Sequence, residues 1–193
     1  MRKQHSSSCS SHLFPPSSMM MMMIIILFQV CSAQNLINST CKTLAGSNPN
    51  IDYNFCRTSL QAAPASQCAA LQGLGMISIR LIRYNVTDTR CSIKQLLRNK
   101  RWDPYTRQCL NDCFDLFSDA IPSVKEAMKS FNAKRFDDAN VQITSIMDAS
   151  TTCEDGFKDR TGVVSPLTKR NDDAFRLSAI ALSFMRIIQT RSA

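Results

Sequence analysis

Apolar side chains recur at three- and four-residue steps along most of this chain, the period of a single buried face on an α-helix. The pattern is densest from Tyr105 to Phe157. Leu110, Phe114, Phe117, Ile121, Val124, Met128 and Phe131 form one stripe, and Phe136, Ala139, Ile143, Ile146, Ser150, Cys153 and Phe157 form a second. The polar break between them, Asn132 to Arg135, is about one turn long, which forces the two helices to lie antiparallel. Upstream, Ser66 is a candidate N-cap after Pro64, and Ala70, Leu74, Ile77, Leu81 and Tyr84 make a further stripe, with Gly73 and Gly75 allowing a bend or a close helix contact. Ile93, Leu96 and Leu97 suggest that this helix resumes after Asn85 to Asp88 and runs to about Lys100. Asp103-Pro104 then opens the hairpin, with proline in the first turn, where its missing N–H is harmless. Lys158 to Thr168 holds Gly162 and Pro166 and reads as a loop. Leu167, Ala174, Leu177, Ala181, Phe184 and Ile188 place a last stripe on a final helix. No strand-like alternation competes, so the fold class is all-α, an up-down-up-down four-helix bundle.

The cysteines add a constraint on how these helices meet. Cys113 and Cys153 lie equally far, twenty residues, on either side of Ala133 in the turn. At 1.5 Å rise per residue both sulfurs sit about 30 Å from it, on or beside the apolar stripes, so they face each other and can form a disulfide. Two reduced core cysteines are the alternative. Cys41 and Cys56 flank Gly46-Ser47-Asn48-Pro49-Asn50, a spacing and turn chemistry that suggest a short helical hairpin closed by a second disulfide. In the chain-entropy model each bridge contributes roughly 3 to 4 kcal/mol. Cys68, Cys91 and Cys109 are left over; they read best as small buried residues, with at least one thiol unpaired or used between chains.

An oxidising compartment is expected from the start of the chain. Arg2 and Lys3, an apolar run from Met19 to Val30 broken only by Gln29, and the small residues Cys31-Ser32-Ala33 read as a signal peptide over residues 1–33. A membrane anchor is the competing reading, but the run falls short of the roughly 20 residues that span a bilayer. The expected organisation is therefore a signal peptide at 1–33, a hairpin extension at 34–65 and a bundle at 66–193, residues 34–193 forming one exported domain with no membrane association after cleavage.

Charge and chemistry narrow the function. The full chain carries 23 Lys and Arg against 15 Asp and Glu, a net charge of +8, which falls to +6 without Arg2 and Lys3. That balance suits an acidic polysaccharide or an acidic partner, or simply solubility; no basic block interleaved with aromatics points to nucleic acid. Both histidines, His5 and His12, lie in the signal peptide. Ser-His and Cys-His nucleophiles and histidine-bound metal are thereby removed, and GxSxG, HExxH and phosphate-binding glycine loops are absent. The expectation is a protein that is not an enzyme and uses no metal or cofactor. Asn38-Ser39-Thr40 and Asn85-Val86-Thr87 make Asn38 and Asn85 glycosylation candidates.

The assembled residues resemble the plant invertase and pectin methylesterase inhibitor family. Cys41 and Cys56 match its N-terminal hairpin. Leu110-Asn111-Asp112-Cys113 with Phe117 and Ala120 looks like its third-helix signature, and Thr152-Cys153-Glu154-Asp155-Gly156-Phe157 like its fourth. Leu71-Gln72-Gly73-Leu74-Gly75 and Gly162-Val163-Val164-Ser165-Pro166-Leu167-Thr168-Lys169 are similar to the plane-tree pollen allergen type within it. The resemblance implies a four-helix bundle with an N-terminal hairpin that binds and blocks a carbohydrate-active enzyme: plant acid invertase, or alternatively pectin methylesterase, in the cell wall or vacuole. It also implies that a Pro-Lys-Phe turn between two bundle helices enters the carboxylate-lined sucrose pocket of invertase. The corresponding place here reads Lys134-Arg135-Phe136, with Arg135 as the reaching charge and Phe136 as the apolar anchor; a solvated turn followed by a core phenylalanine is the alternative. A lipid carrier or a pollen or storage protein without a live target are readings of another class.

Overall fold

The structure, a computed structural model, describes residues 34–192; the expected signal peptide at 1–33 lies outside them. Six α-helices are present among the described residues: α1 (34–47), α2 (Tyr53–Gln61), α3 (Leu71–Leu96), α4 (Pro104–Asn132), α5 (Phe136–Lys158) and α6 (Thr168–Ser192), with a 3-10 turn at Pro64–Cys68. Helices α3 to α6 form a four-cornered bundle in which α3 packs on α4, α4 on α5, α5 on α6 and α6 back on α3. Asp52 caps α2 by accepting from the Phe55 amide at 2.7 Å, and Asp103 caps α4 with Pro104 in the first turn.

All seven residues of the expected α5 stripe are buried. On α4 the buried line runs through Cys113, Phe117, Ala120, Val124, Ala127 and Phe131, while Phe114, Ile121 and Met128 flank it half-buried. Cys113 is bonded to Cys153 with a Cα–Cα separation of 5.0 Å, and Cys41 to Cys56 with 5.8 Å, both inside the usual disulfide range.

Helix α3 departs from expectation in three ways. It begins at Leu71, because Pro64–Cys68 forms a 3-10 turn whose Ser66 hydroxyl is buried without a partner, and the chain is extended at Ala70. It runs unbroken through Asn85 to Asp88, since Val86 and Thr89 lie fully buried against the core; tertiary burial outweighs their weak helix propensity. It also ends at Leu96, not Lys100. Ala70 and Tyr84, expected inside, are exposed, Tyr84 at 71%. The reason is that α3 serves two cores: Ile79, Ile82, Val86 and Ile93 face the bundle, whereas Leu74 and Ile77 join Ile37, Leu44, Leu60 and Phe184 under the α1–α2 hairpin. A single stripe through both sets is rotated toward solvent.

Two leftover cysteines also sit elsewhere than expected. Cys68 on the 3-10 turn and Cys91 on the outer face of α3 are exposed, and only Cys109 is buried. Its thiol donates to the Gly156 carbonyl at 3.4 Å, beside the Tyr105 hydroxyl, which donates to the same oxygen at 2.7 Å.

Candidate target-binding surface

Two backbone bonds close the turn between α4 and α5. The Lys134 amide donates to the Phe131 carbonyl at 3.0 Å and the Arg135 amide to the Ser130 carbonyl at 2.9 Å. This is the double bond of a Schellman motif, which requires the residue between helix cap and exit to take a left-handed conformation. Lys134 occupies that place with φ of 59°, the one non-glycine residue with positive φ among those described. Glycine is the usual occupant, because a β-carbon there crowds the following carbonyl.

The three residues of the turn face different surroundings. Lys134 is exposed, and its ammonium has no ion-pair or hydrogen-bond partner among the described residues. Arg135 is held on three sides: its guanidinium donates to the Ser130 hydroxyl at 3.3 Å, lies 3.2 Å from Asp138 and 3.7 Å from Glu126. Lys129 also leans on Glu126, at 3.4 Å, and Asp137 accepts from Gln189 at 2.9 Å. Phe136 is only 8% exposed and meets Phe131 edge to face, with ring centroids 5.5 Å apart. Its ring packs within the chain's own core and leaves little of itself exposed at the turn.

No group of three His, Cys, Asp or Glu among the described residues is arranged to hold a metal ion, and none of the described helices is long and apolar enough to cross a membrane. A groove of about 280 Å³ between α5 and α6 is lined by Ser150, Glu154, Asn171 and Phe175. Glu154 spans it, accepting from Thr168 at 2.7 Å and Asn171 at 2.8 Å. Nothing in this arrangement pairs a nucleophile with a base.

A family model described as plant invertase/pectin methylesterase inhibitor matches residues 35–184. The chain belongs to this family. Its members are proteinaceous inhibitors and not enzymes, and the invertase/pectin methylesterase inhibitor fold is what the bundle, hairpin and two disulfides compose. A presumed invertase inhibitor of Platanus acerifolia is 41% identical over 162 residues, covering 84% of this chain and 90% of that protein. Its counterpart from Platanus orientalis is equally similar, at 41% over 162 residues, with 84% and 94% covered. The crystal structure of a mutant pectin methylesterase inhibitor from Arabidopsis shares the fold, with a TM-score of 0.62 at 22% identity, over 70% of this chain and 89% of that one.

Within this inhibitor the two signature segments have physical roles. Cys113 and Cys153 form the staple between α4 and α5, and Glu154 next to it ties α5 to α6. The reach of Glu154 across the groove is missed by periodicity, because its donors stand 14 and 17 residues away; its place beside the cysteine in a signature is the one hint. Proline is confined to φ near −65°, so it cannot take the conformation of Lys134. Asn38 on α1 and Asn85 on α3 are both half-buried, each with its Oδ1 enclosed and unpaired.

Proposed function

We propose that this chain inhibits a plant acid invertase by seating the α4–α5 turn in the enzyme's carboxylate-lined pocket. The observation that carries the reading is Lys134: an ammonium with no partner among the described residues, at the apex of a turn fixed by two backbone bonds. Glycosidases hold two carboxyl groups at their reaction centre, and a preformed cation loses little freedom in pairing with them. Lys134 is the reaching charge. Arg135, expected in that role, has Asp138 and Glu126 beside it and would give them up to reach a partner; it braces the turn instead. Similarity to the two Platanus proteins over most of the chain supports invertase as the target.

Pectin methylesterase is the second reading, and one observation favours it. The left-handed Lys134 gives a turn that a Pro-Lys-Phe sequence could not adopt, and by family analogy that enzyme is met by the bundle helices instead of the turn. Incubating purified protein with each enzyme at acidic pH and measuring residual activity decides between them. Loss of invertase activity that is abolished by Lys134→Glu supports the turn; loss of pectin methylesterase activity, indifferent to that change, establishes the second reading. The proposed location is the cell wall or vacuole, reached by export, where two disulfides persist.

A further inference from the structure

Helix α3 carries a single-signed stripe that the target reading does not use. Arg80, Arg83 and Lys94 project from one side of it, within about 60° of each other at 100° per residue, over a length of about 21 Å. Arg98, Lys100 and Arg101 add three more cations in the α3–α4 connection that follows. All six are exposed, and none of their charged side-chain groups has an ion pair, hydrogen bond or ring contact among the described residues. Asp88, the one acid on α3, pairs with Arg170, and Asp103 caps α4 and faces Arg160. The connection itself is rigid. Arg107 donates to the Leu97 and Asn99 carbonyls at 3.2 and 2.9 Å, and the Trp102 indole to the Leu96 carbonyl at 2.9 Å.

We propose that this stripe binds a linear polyuronate, an acidic polysaccharide. Like charges at helical spacing repel in the free protein, and a hydrated polyanion laid along the stripe relieves that repulsion while releasing its counterions. Tyr84, 71% exposed on the same side of α3, offers an apolar ring face to a sugar and a hydroxyl to its neighbours. An acidic protein partner fits less well, since the stripe lacks the buried aromatic anchors that carry protein interfaces. Single-stranded nucleic acid requires a succession of stacking rings, and one tyrosine does not supply it. The stripe's outer end and the Lys134 turn lie at opposite ends of the bundle, about 43 Å apart along α4. Polymer on one end therefore leaves the other free, whichever enzyme the turn or the helices meet.

The test uses the full exported chain and measures its dissociation constant for polygalacturonate across a series of salt concentrations, with fully methyl-esterified polymer alongside. Binding should weaken steeply with salt and be absent for the esterified polymer. Neutralising Arg83, Lys94, Arg98 and Arg101 together to Gln should weaken it about tenfold or more and flatten the salt dependence. A control with Lys42, Lys125 and Lys129 changed to Gln should bind like the parent, both variants melting at the parental temperature. Tyr84→Ala should weaken binding without altering the salt slope. Equal loss in the stripe and control variants overturns the proposal, as does equal affinity for the esterified polymer or tighter binding of an RNA oligonucleotide of matched charge at the same salt.

Discussion

Phe131 fills the space that a side chain on Gly75 would need: its Cζ lies 2.9 Å from where a β-carbon would stand, and Ile188 Cδ1 lies 3.0 Å away. The glycine lets α3 approach α4 and α6 closely. Gly75→Ala returns about 1 kcal/mol of helix propensity, but overpacking a filled core costs about 1 to 3 kcal/mol. A net loss of up to about 2 kcal/mol is expected by denaturant unfolding. Adding Phe131→Leu to Gly75→Ala should show favourable coupling in a double-mutant cycle, because the smaller side chain vacates the contested space.

Lys134 separates stability from binding. Lys134→Gly relieves a left-handed β-carbon and should raise stability by up to about 1 kcal/mol, while removing the cation proposed to enter the enzyme. Higher melting temperature with lost inhibition is the expected result. Lys134→Pro cannot adopt the φ of 59° and removes the amide that bonds Phe131, so it should lower the melting temperature and loosen the turn.

Selective loss of the Cys113–Cys153 bond opens a loop of 40 residues. The chain-entropy model puts its contribution near 4 kcal/mol. Replacing both cysteines by Ser should reduce the free energy of unfolding by about that amount, measured in urea, and replacing Cys41 and Cys56 by about 3 kcal/mol.

Acid should weaken the start of α4. Hydrogen bonds from the Thr106 side chain, and then from the Thr106 and Tyr105 amides, hold the Asp103 carboxyl below its ordinary value of 3.8 despite partial desolvation. A carboxyl whose folded pKa is depressed stabilises the fold at pH above its unfolded value and loses that contribution as pH falls through the folded one. Asp103→Asn should therefore flatten the fall in stability below about pH 4, read as melting temperature against pH.

The three thiols should differ in reactivity. Burial pushes the Cys109 thiol upward from its ordinary range, with the Tyr105 hydroxyl partly opposing it, and Cys68 and Cys91 are exposed. Iodoacetamide at pH 8 should label those two in the native protein, and Cys109 only after unfolding, as counted by intact mass.

What could be read from the chain and what could not divide along physical lines. The α4–α5 pair was legible because its burial follows one period on each helix and its connection is too short for any other topology; equal distances from Ala133 then matched Cys113 to Cys153. Helix α3 was harder, since two cores draw on adjacent faces and Leu74 and Val86 point into different ones. Ser66 after Pro64 read as a helix N-cap, yet the sequence carries no mark for the 3-10 turn that holds both. The turn residues were legible as a basic group, but not their division of labour. Arg135 finds Glu126 nine positions back across the turn, and a lysine in a left-handed cap has no compositional signal. The α3 cations never adjoin in sequence before Lys100, so only the helix brings them into line.

Helices α4 and α5 are fastened twice, by the paired amides of their turn and by a covalent link some 30 Å farther along. A strut pinned at both extremities has little room to flex in between. A partner thus meets a shape that is already set, and the pace of capture is governed by how often the two surfaces collide in the right orientation, with no refolding to wait for.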